Sequence, residues 1–205
     1  PDDELNKILR EDSFKKPIFY GKNGNFLFNR FATYLKNNLN IIKIDGQLHI
    51  YSEGVYKDGL QAIESEMIKV IPTLTARNRS EVIKYLYLIA PDIKEQSGAN
   101  YIAFNNGIYN LNTGILEPFT PAVIVKNKIP FNYNYDAYNE TLDSMLDRIS
   151  CNDDSIRDLL EEMAGYCMYR RNELRKAFIL IGDKANGKST YLDCITYMVG
   201  ERNTS

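Results

Sequence analysis

Apolar and polar residues alternate with two different periods along the first part of the chain. In FLFNRFATYLKNNL (26–39), apolar residues recur three and four positions apart, which predicts a helix. The period shortens to two in IIKI (41–44) and QLHIY (47–51), on either side of Asp45-Gly46. Because Asp-Gly accepts the positive φ angles of a tight turn, we predict a β-hairpin here, with 54–57 as a third short strand.

Two more helices are predicted before residue 91. The first runs from Leu60 to Ile71 and is ended by Pro72, and the second runs from Arg79 to Ala90. Ser80 is expected at the N-cap or in the first turn of the second helix. A helix, a hairpin and two helices in this order resemble a winged-helix-like module over residues 26–90.

Short strands dominate the pattern after residue 100. The segments YIAF (101–104), GIYNL (107–111) and GILEPF (114–119) are separated by Asn-Gly and Thr-Gly turns. This punctuation predicts a small antiparallel meander. Residues 123–133 are expected to add a further strand.

Helical periodicity returns in the last third of the chain. It predicts helices over 141–149 and 154–169, and Asp153 or Asp154 is a suitable cap for the second. The apolar run AFILI (177–181) is typical of a buried parallel strand. A last helix is expected over 188–199, with Gly200 at its C-terminal end.

Composition and charge narrow the class of protein. A length of 205 residues allows one large or two small domains, and a net charge of −2 gives no overall field towards nucleic acid. Three cysteines and one histidine argue against a zinc site or a disulfide framework, and favour a reduced, cytoplasmic protein. We expect no membrane span and no signal peptide, because long apolar runs are absent and the first residues are charged.

The segment FILIGDKANGKST (178–190) contains the pattern Gly-x-x-x-x-Gly-Lys-Ser, between a predicted strand and a predicted helix. This context is typical of a phosphate-binding loop, whose glycines let backbone N–H groups point at phosphate oxygens. We predict that Lys188 contacts the β- and γ-phosphates of ATP and that Ser189 binds Mg²⁺. The predicted nucleotide-binding residues are Gly182, Asp183, Lys184, Ala185, Asn186, Gly187, Lys188, Ser189 and Thr190. The alternative is a chance glycine-rich turn before a helix.

Two basic clusters are weaker candidates for binding sites. Arg77, Arg79 and Lys84 could contact a DNA backbone, or form a solvated helix face. A second cluster could touch DNA, a neighbouring subunit or a nucleotide, or be an exposed connector; its members are Arg170, Arg171, Arg175 and Lys176.

Other polar features have an ordinary structural explanation beside a functional one. The tyrosines of NYNYDAY (132–138) could stack on bases, but half-buried packing is expected more often. We expect His49 on a strand surface. Capping and the helix dipole explain an acidic set better than a metal site does; its members are Asp153, Asp154, Asp158, Glu161 and Glu162.

Three motifs in this order resemble a known family. They are NGIYNLNTG at 106–114, EEMAGYCM at 161–168 and NGKST at 186–190. The chain is similar over roughly 26–205 to phage and plasmid primase–helicases. In that family a superfamily III helicase follows a poxvirus-primase-type N-terminal domain.

The resemblance implies an α+β fold that leads into the first strand, loop and helix of an α/β, AAA+-like ATPase. The expected regions are an N-terminal helix and linker (1–25), a pre-helicase domain (26–135), collar or oligomerisation helices (136–176) and the start of the ATPase (177–205). It further implies a replicative helicase that is hexameric in its full-length form and uses ATP and Mg²⁺ to unwind DNA, in the cytoplasm of the host cell if phage-encoded.

The family's catalytic carboxylates, polar sensor and arginine finger lie downstream of the loop. No catalytic residue is therefore predicted within these 205 residues, and we expect a piece of a longer protein with little hydrolysis of its own. Two alternatives stay open. One is a non-catalytic module for DNA binding or oligomerisation, and the other is a P-loop ATPase unrelated to DNA.

Overall fold

A computed structural model describes residues 19–93 and 97–204. The chain divides into two compact units, Pro1–Gln96 and Ser97–Ser205. Of the N-terminal helix and linker predicted over 1–25, residues 1–18 lie outside the described residues. The predicted domain bounds stay a prediction.

The first unit combines helices with a small sheet, as an α+β fold requires. Its elements are α1 (Phe28–Asn38), β1 (Ile42–Ile44), β2 (Gln47–Ser52), β3 (Val55–Asp58), α2 (Leu60–Val70), α3 (Ala76–Ile89) and β4 (Asp92–Ile93).

The sheet of the first unit has the order β3-β2-β1-β4. The predicted hairpin is confirmed: β1 and β2 pair antiparallel, and the turn residues Asp45 and Gly46 have φ angles of 52° and 75°. The third strand is also confirmed, antiparallel to β2. The short strand β4 pairs parallel to β1, a connection that the sequence pattern did not predict.

The three helices bury apolar residues at the spacing of one helix face. Phe31, Leu35, Ile63, Met67 and Leu86 are all at most 1% exposed and belong to one core cluster. This confirms the helices that the periodicity predicted. The burial also explains their stability, because the tertiary packing of an apolar face stabilises short helices more than intrinsic propensity does.

Helix α3 begins earlier than predicted. Thr75 is its N-cap, and the Thr75 hydroxyl accepts a hydrogen bond from the Asn78 backbone N–H at 3.2 Å. Ser80 is the fifth residue of the helix, so its predicted place at the cap or first turn was wrong. Thr75 takes this role because it has the extended backbone of an N-cap, with ψ of 157°.

The predicted surface position of His49 was also wrong. The residue is 3% exposed, and its neighbours Leu48 and Ile50 are buried as well, so both faces of β2 are covered. His49 Nδ1 lies 2.9 Å from the Gln47 carbonyl oxygen, and Nε2 lies 3.1 Å from an Asp58 carboxylate oxygen. These polar partners allow the imidazole to be buried.

The second unit begins with a meander and continues with helices. Its elements are β5 (Tyr101–Phe104), β6 (Gly107–Asn110), β7 (Ile115–Glu117), α4 (Glu140–Ile149), α5 (Asp154–Met168) and α6 (Lys188–Val199), followed by a 3₁₀ turn (Glu201–Asn203). The sheet order β5-β6-β7 confirms the predicted meander, and the three helices are confirmed within one residue at each end.

The strand predicted over 123–133 is not formed. This segment lies beside β5, where Ile129 N–H donates to the Ala103 carbonyl and Asn105 N–H donates to the Phe131 carbonyl. Pro130 lies between these two bonds and has no N–H to donate, so a regular ladder cannot continue. Val123, Val125 and Ile129 are buried all the same, Val125 at 0% exposure, whereas Phe131 is 37% exposed.

Two leucines of α3 test whether the first unit depends on this core. Leu86 is 0% exposed and Leu88 is 79% exposed on the same helix. We expect Leu86→Ala to lower the free energy of unfolding by about 2–5 kcal/mol, because it leaves a cavity in a packed core. Leu88→Ala is the matched control and should stay within about 0.5 kcal/mol of the wild type. Urea denaturation followed by circular dichroism measures both, and equal losses in the two variants would contradict this core.

Candidate functional site

Helix α6 carries the second half of the candidate loop. Its N-cap is Gly187, whose φ of +88° lies in the left-handed region that favours glycine. A Cβ at this position would also lie 3.0 Å from the Ile149 side chain of α4. The second glycine of the motif therefore meets both a backbone and a packing requirement, and it sets the direction in which the helix starts.

Packing against the preceding helices fixes α6 in place. Tyr191 and Ile195 are buried in one cluster with Leu146 of α4 and with Leu160 and Met163 of α5. The Tyr191 hydroxyl donates a hydrogen bond to the Leu160 carbonyl oxygen at 2.5 Å. Tyr191 is one turn after Lys188. Its hydrogen bond to Leu160 therefore holds in place the first turn of α6, which carries Lys188.

The Lys188 ammonium spans the loop. Its Nζ donates to the carbonyl oxygens of Gly182 and Asp183 at 2.9 and 2.8 Å, and to Asn186 Oδ1 at 2.7 Å. A lysine ammonium has three donors, so these acceptors satisfy it completely. The structure thus brings Gly182, Asp183, Asn186 and Lys188 together, and the loop closes around a positive charge at a helix N-terminus.

The remaining loop residues surround this contact. Ser189 and Thr190 lie in the first turn of α6 and are exposed, where the helix N-terminus favours anions. Lys184 and Ala185 form the exposed tip of the loop, and Ala185 has a φ of 59°. The roles of Lys188 at the phosphates and of Ser189 at Mg²⁺ stay predictions.

The strand predicted over 177–181 is not formed. Ile179 and Ile181 are 82% and 90% exposed, and among the described residues no backbone hydrogen bond joins this segment to a strand. An all-apolar strand is stable where neighbouring strands and helices cover it, and the described residues supply no such neighbour. The first half of the loop is therefore anchored mainly through Lys188.

One member of the acidic set around α5 has a clear structural role. The Asp153 carboxylate accepts from the N–H groups of Ser155 and Ile156 at 2.9 and 3.2 Å, which confirms it as the cap of α5. In the part of the chain that the structure describes, no group of three or more His, Cys, Asp or Glu side chains is placed to hold a metal ion.

An ion-pair network between α4 and α5 was not predicted from the sequence. The Arg157 guanidinium of α5 bonds the carboxylates of Asp143 and Asp147 on α4, and reaches Glu161 at 3.1 Å. Hydrogen bonding from Arg157 lowers the pKa of Asp143. The signal that could have revealed it is the spacing of two aspartates four residues apart on α4, one helical turn, opposite a single arginine.

The predicted DNA-binding residues Arg77, Arg79 and Lys84 are not brought together. Arg77 and Lys84 are exposed and, being seven residues apart, share one face of α3. Arg77 pairs with Glu81 at 3.3 Å. Arg79 is two residues after Arg77 and therefore lies about 200° around the helix from it, at about 100° per residue. It donates to the Leu74 carbonyl at 2.9 Å and reaches Glu64 at 3.4 Å, so its contacts hold the α2–α3 connection.

The four residues of the second basic cluster (Arg170, Arg171, Arg175 and Lys176) also differ in their surroundings. Arg170 lies within hydrogen-bond reach, 3.4 Å, of the carbonyl oxygens of Ser97 and Tyr101, and burial lowers its pKa. Arg171 pairs with Glu173 at 3.0 Å. Arg170 therefore links the helical part of this unit to its meander, while Arg175 and Lys176 are exposed.

The tyrosines of 132–138 do not behave as one group. Tyr133 packs against Tyr109 with ring centroids 4.5 Å apart, and against Phe104 at 5.3 Å. Tyr135 and Tyr138 are 86% and 75% exposed. The packing explanation is confirmed for Tyr133 alone. Tyr138 donates to Asp143 at 3.3 Å, and the negative charge of α4 beside it is unfavourable for a nucleic-acid backbone.

The comparisons with known proteins identify the family. A family model described as D5 N terminal like matches residues 4–151. The chain belongs to this family of primase–helicases. It is also similar to a protein of Acanthamoeba polyphaga mimivirus named "Putative helicase L207/L206", with 29% identity over 147 residues.

The similarity to the mimivirus protein covers 67% of this chain and 15% of that protein. The chain therefore spans a small part of the relative's length. The D5 family match ends at residue 151, before the loop. The candidate loop thus rests on its own motif and geometry, and the primase–helicase assignment rests on the residues before it. In the described residues, no helix is both long enough and apolar enough to cross a bilayer.

Two tyrosines of α6 test the anchoring of the loop helix. Tyr191 is 3% exposed and bonded to the Leu160 carbonyl, whereas Tyr197 is 70% exposed on the same helix. We expect Tyr191→Phe to lower the free energy of unfolding by about 1 kcal/mol, because it removes one buried hydrogen bond. The control Tyr197→Phe should change it by less than about 0.5 kcal/mol.

The pH dependence of stability provides a second readout of the same contact. Burial raises the pKa of Tyr191 to about 12, whereas a tyrosine of the unfolded chain titrates near 10. The stabilisation from Tyr191 is thus complete below about pH 10 and is lost as the pH rises from about 10 through about 12. Denaturation between pH 9 and 12 should show a shallower decline in Tyr191→Phe than in the wild type; identical slopes would contradict the buried hydroxyl.

Proposed function

We propose that this chain contributes the ATP-binding loop of a replicative DNA helicase of the primase–helicase family, which works as an oligomer. The observation that carries the proposal is the Lys188 ammonium, which lies across the loop at the N-terminus of α6. A cation held at this place, beside backbone N–H groups, matches the charge of a triphosphate.

The remaining parts of the loop support the same chemistry. Gly187 directs the helix N-terminus at the loop, and the exposed hydroxyl of Ser189 in the first turn could bind the Mg²⁺ of a bound nucleotide. The cofactors proposed for the loop are therefore ATP and Mg²⁺. The chain is proposed to bind nucleotide, while hydrolysis and unwinding are proposed for the whole protein.

DNA is the proposed partner because the family is one of helicases. If the first unit contacts the DNA backbone, the exposed face of α3 with Arg77 and Lys84 is the better candidate. Arg79 is a poorer candidate, because its guanidinium is bonded to the Leu74 carbonyl.

A second candidate function is assembly. A groove of about 790 Å³ is lined largely by apolar side chains of α4, α5 and α6, among them Leu142 and Tyr197, which are 44% and 70% exposed. Of these helices, α4 and α5 lie in the region (136–176) expected to hold subunits together. An apolar surface of this kind suits self-association, and its lining reaches Thr190 at the edge of the loop.

Lysine substitutions test the proposed loop. Calorimetric titration of the full chain with MgATP should show binding by the wild type, and Lys188→Ala should weaken it on the order of tenfold or more, because a charge-assisted contact to phosphate is lost. Lys126→Ala, an exposed lysine of the same unit, is the control and should bind like the wild type.

Equal affinities of the wild type and Lys188→Ala would contradict the assignment of the loop. A wild-type chain that binds no MgATP but self-associates in sedimentation experiments would favour the assembly function instead.

A further inference from the structure

Acceptors of the loop itself satisfy the Lys188 ammonium. Its three donors are all taken, by the carbonyls of Gly182 and Asp183 and by Asn186 Oδ1. A phosphate that binds Lys188 must therefore replace at least one of these oxygen atoms. The two carbonyls belong to the backbone of the loop, whereas the Asn186 oxygen is on a side chain that can rotate about its own bonds.

The Asn186 side chain is seated directly on Gly182. A Cβ built on Gly182 would overlap Asn186 Nδ2, far inside van der Waals contact. Apart from Asn186, the nearest atom to this Cβ is Lys188 Nζ, at 3.8 Å, which is an ordinary van der Waals distance. Gly182 does not have a left-handed φ angle. The first glycine of the motif thus leaves room for the Asn186 amide, and it is not needed for a left-handed backbone conformation.

From these two contacts we propose that Asn186 is a positioning residue that holds Lys188 across the loop, and that a triphosphate binds by displacing the Asn186 side chain. The inference rests on the proposed function, and it identifies a residue that sets the affinity of the loop for a triphosphate. Asn186 keeps the ammonium in the centre of the loop and competes with the phosphate for it. Gly182 permits this arrangement by leaving room for the amide.

The sign of the effect distinguishes this role from a merely structural one. Removing the Asn186 oxygen leaves Lys188 with an unused donor in the free loop, while its contacts to a phosphate remain possible. We therefore expect Asn186→Ala to bind MgATP about three- to tenfold more tightly than the wild type, the gain expected from one partly exposed charge-assisted hydrogen bond. A substitution that only damaged the loop would weaken binding.

A double-mutant cycle with Gly182 makes the test sharper. In the wild type, Gly182→Ala should expel the Asn186 side chain and raise the affinity by a similar factor. In an Asn186→Ala background, Gly182→Ala should have little further effect, because the overlapping atoms are gone. Contacting residues are expected to show this non-additivity. Asn127→Ala, an exposed asparagine of the same unit, is the control and should leave the affinity unchanged.

A second readout needs no nucleotide. The rate at which an amine-selective reagent labels Lys188, followed by mass spectrometry of the full chain, reports how well its ammonium is held. We expect faster labelling of Lys188 in Asn186→Ala than in the wild type, and an unchanged rate at Lys126 in both proteins.

The two experiments separate failure of the inference from failure of the proposed function. Unchanged or weaker MgATP affinity in Asn186→Ala, or additive effects in the cycle, would overturn the role of Asn186 while the loop remains a nucleotide site. A wild type that binds no MgATP would overturn the proposed function together with the competition, even if Lys188 labelling still rises in Asn186→Ala.

Discussion

The geometry of the candidate site depends on the packing of α6 against α4 and α5. Tyr191 is central to it, because its ring is buried between the helices and its hydroxyl is bonded to the Leu160 carbonyl. One turn earlier, Gly187 turns the chain and Lys188 reaches back across the loop. Without the packing, the helix N-terminus would have no fixed direction, and neither a helix dipole nor a lysine could serve as a phosphate site.

The pair of helices α4 and α5, against which α6 packs, is stabilised by ion pairs as well as by apolar contacts. Arg157 joins α5 to two aspartates of α4, and Asp153 caps α5 at its start. The carboxylates of Asp143, Asp147 and Asp153 are thus occupied by structural partners, which join and cap the two helices. An exposed apolar groove lies on the same helices.

Much of the fold was predictable from the sequence, because local patterns decide it. Runs of apolar residues with period two or 3.6 predicted the hairpin, the meander and the helices. Gly46 lies in the predicted turn between β1 and β2, and Gly187 and Gly200 lie at the two ends of α6. The failures have different causes. Pro130 interrupts the segment 123–133 and could have been weighed from the sequence, whereas two features depend on the rest of the fold: 177–181 lacks neighbouring strands among the described residues, and His49 is buried in a sheet where the Asp58 carboxylate of the next strand meets its ring. For the site, the motif predicted the loop residues, but neither the three acceptors of Lys188 nor the contact of Asn186 with Gly182 can be read from spacing.

The two halves of the loop differ: the second half is fixed by α6, whereas the first half follows segment 177–181, which forms no strand among the described residues. Amide hydrogen exchange, resolved by residue, tests this most directly, since exchange reports local opening. We expect slow exchange for the amides of 192–199, fast exchange for 177–186, and slower exchange of 182–190 when MgATP is added. Exchange of 192–199 as fast as that of 177–186, or no response of the loop to MgATP, would contradict it.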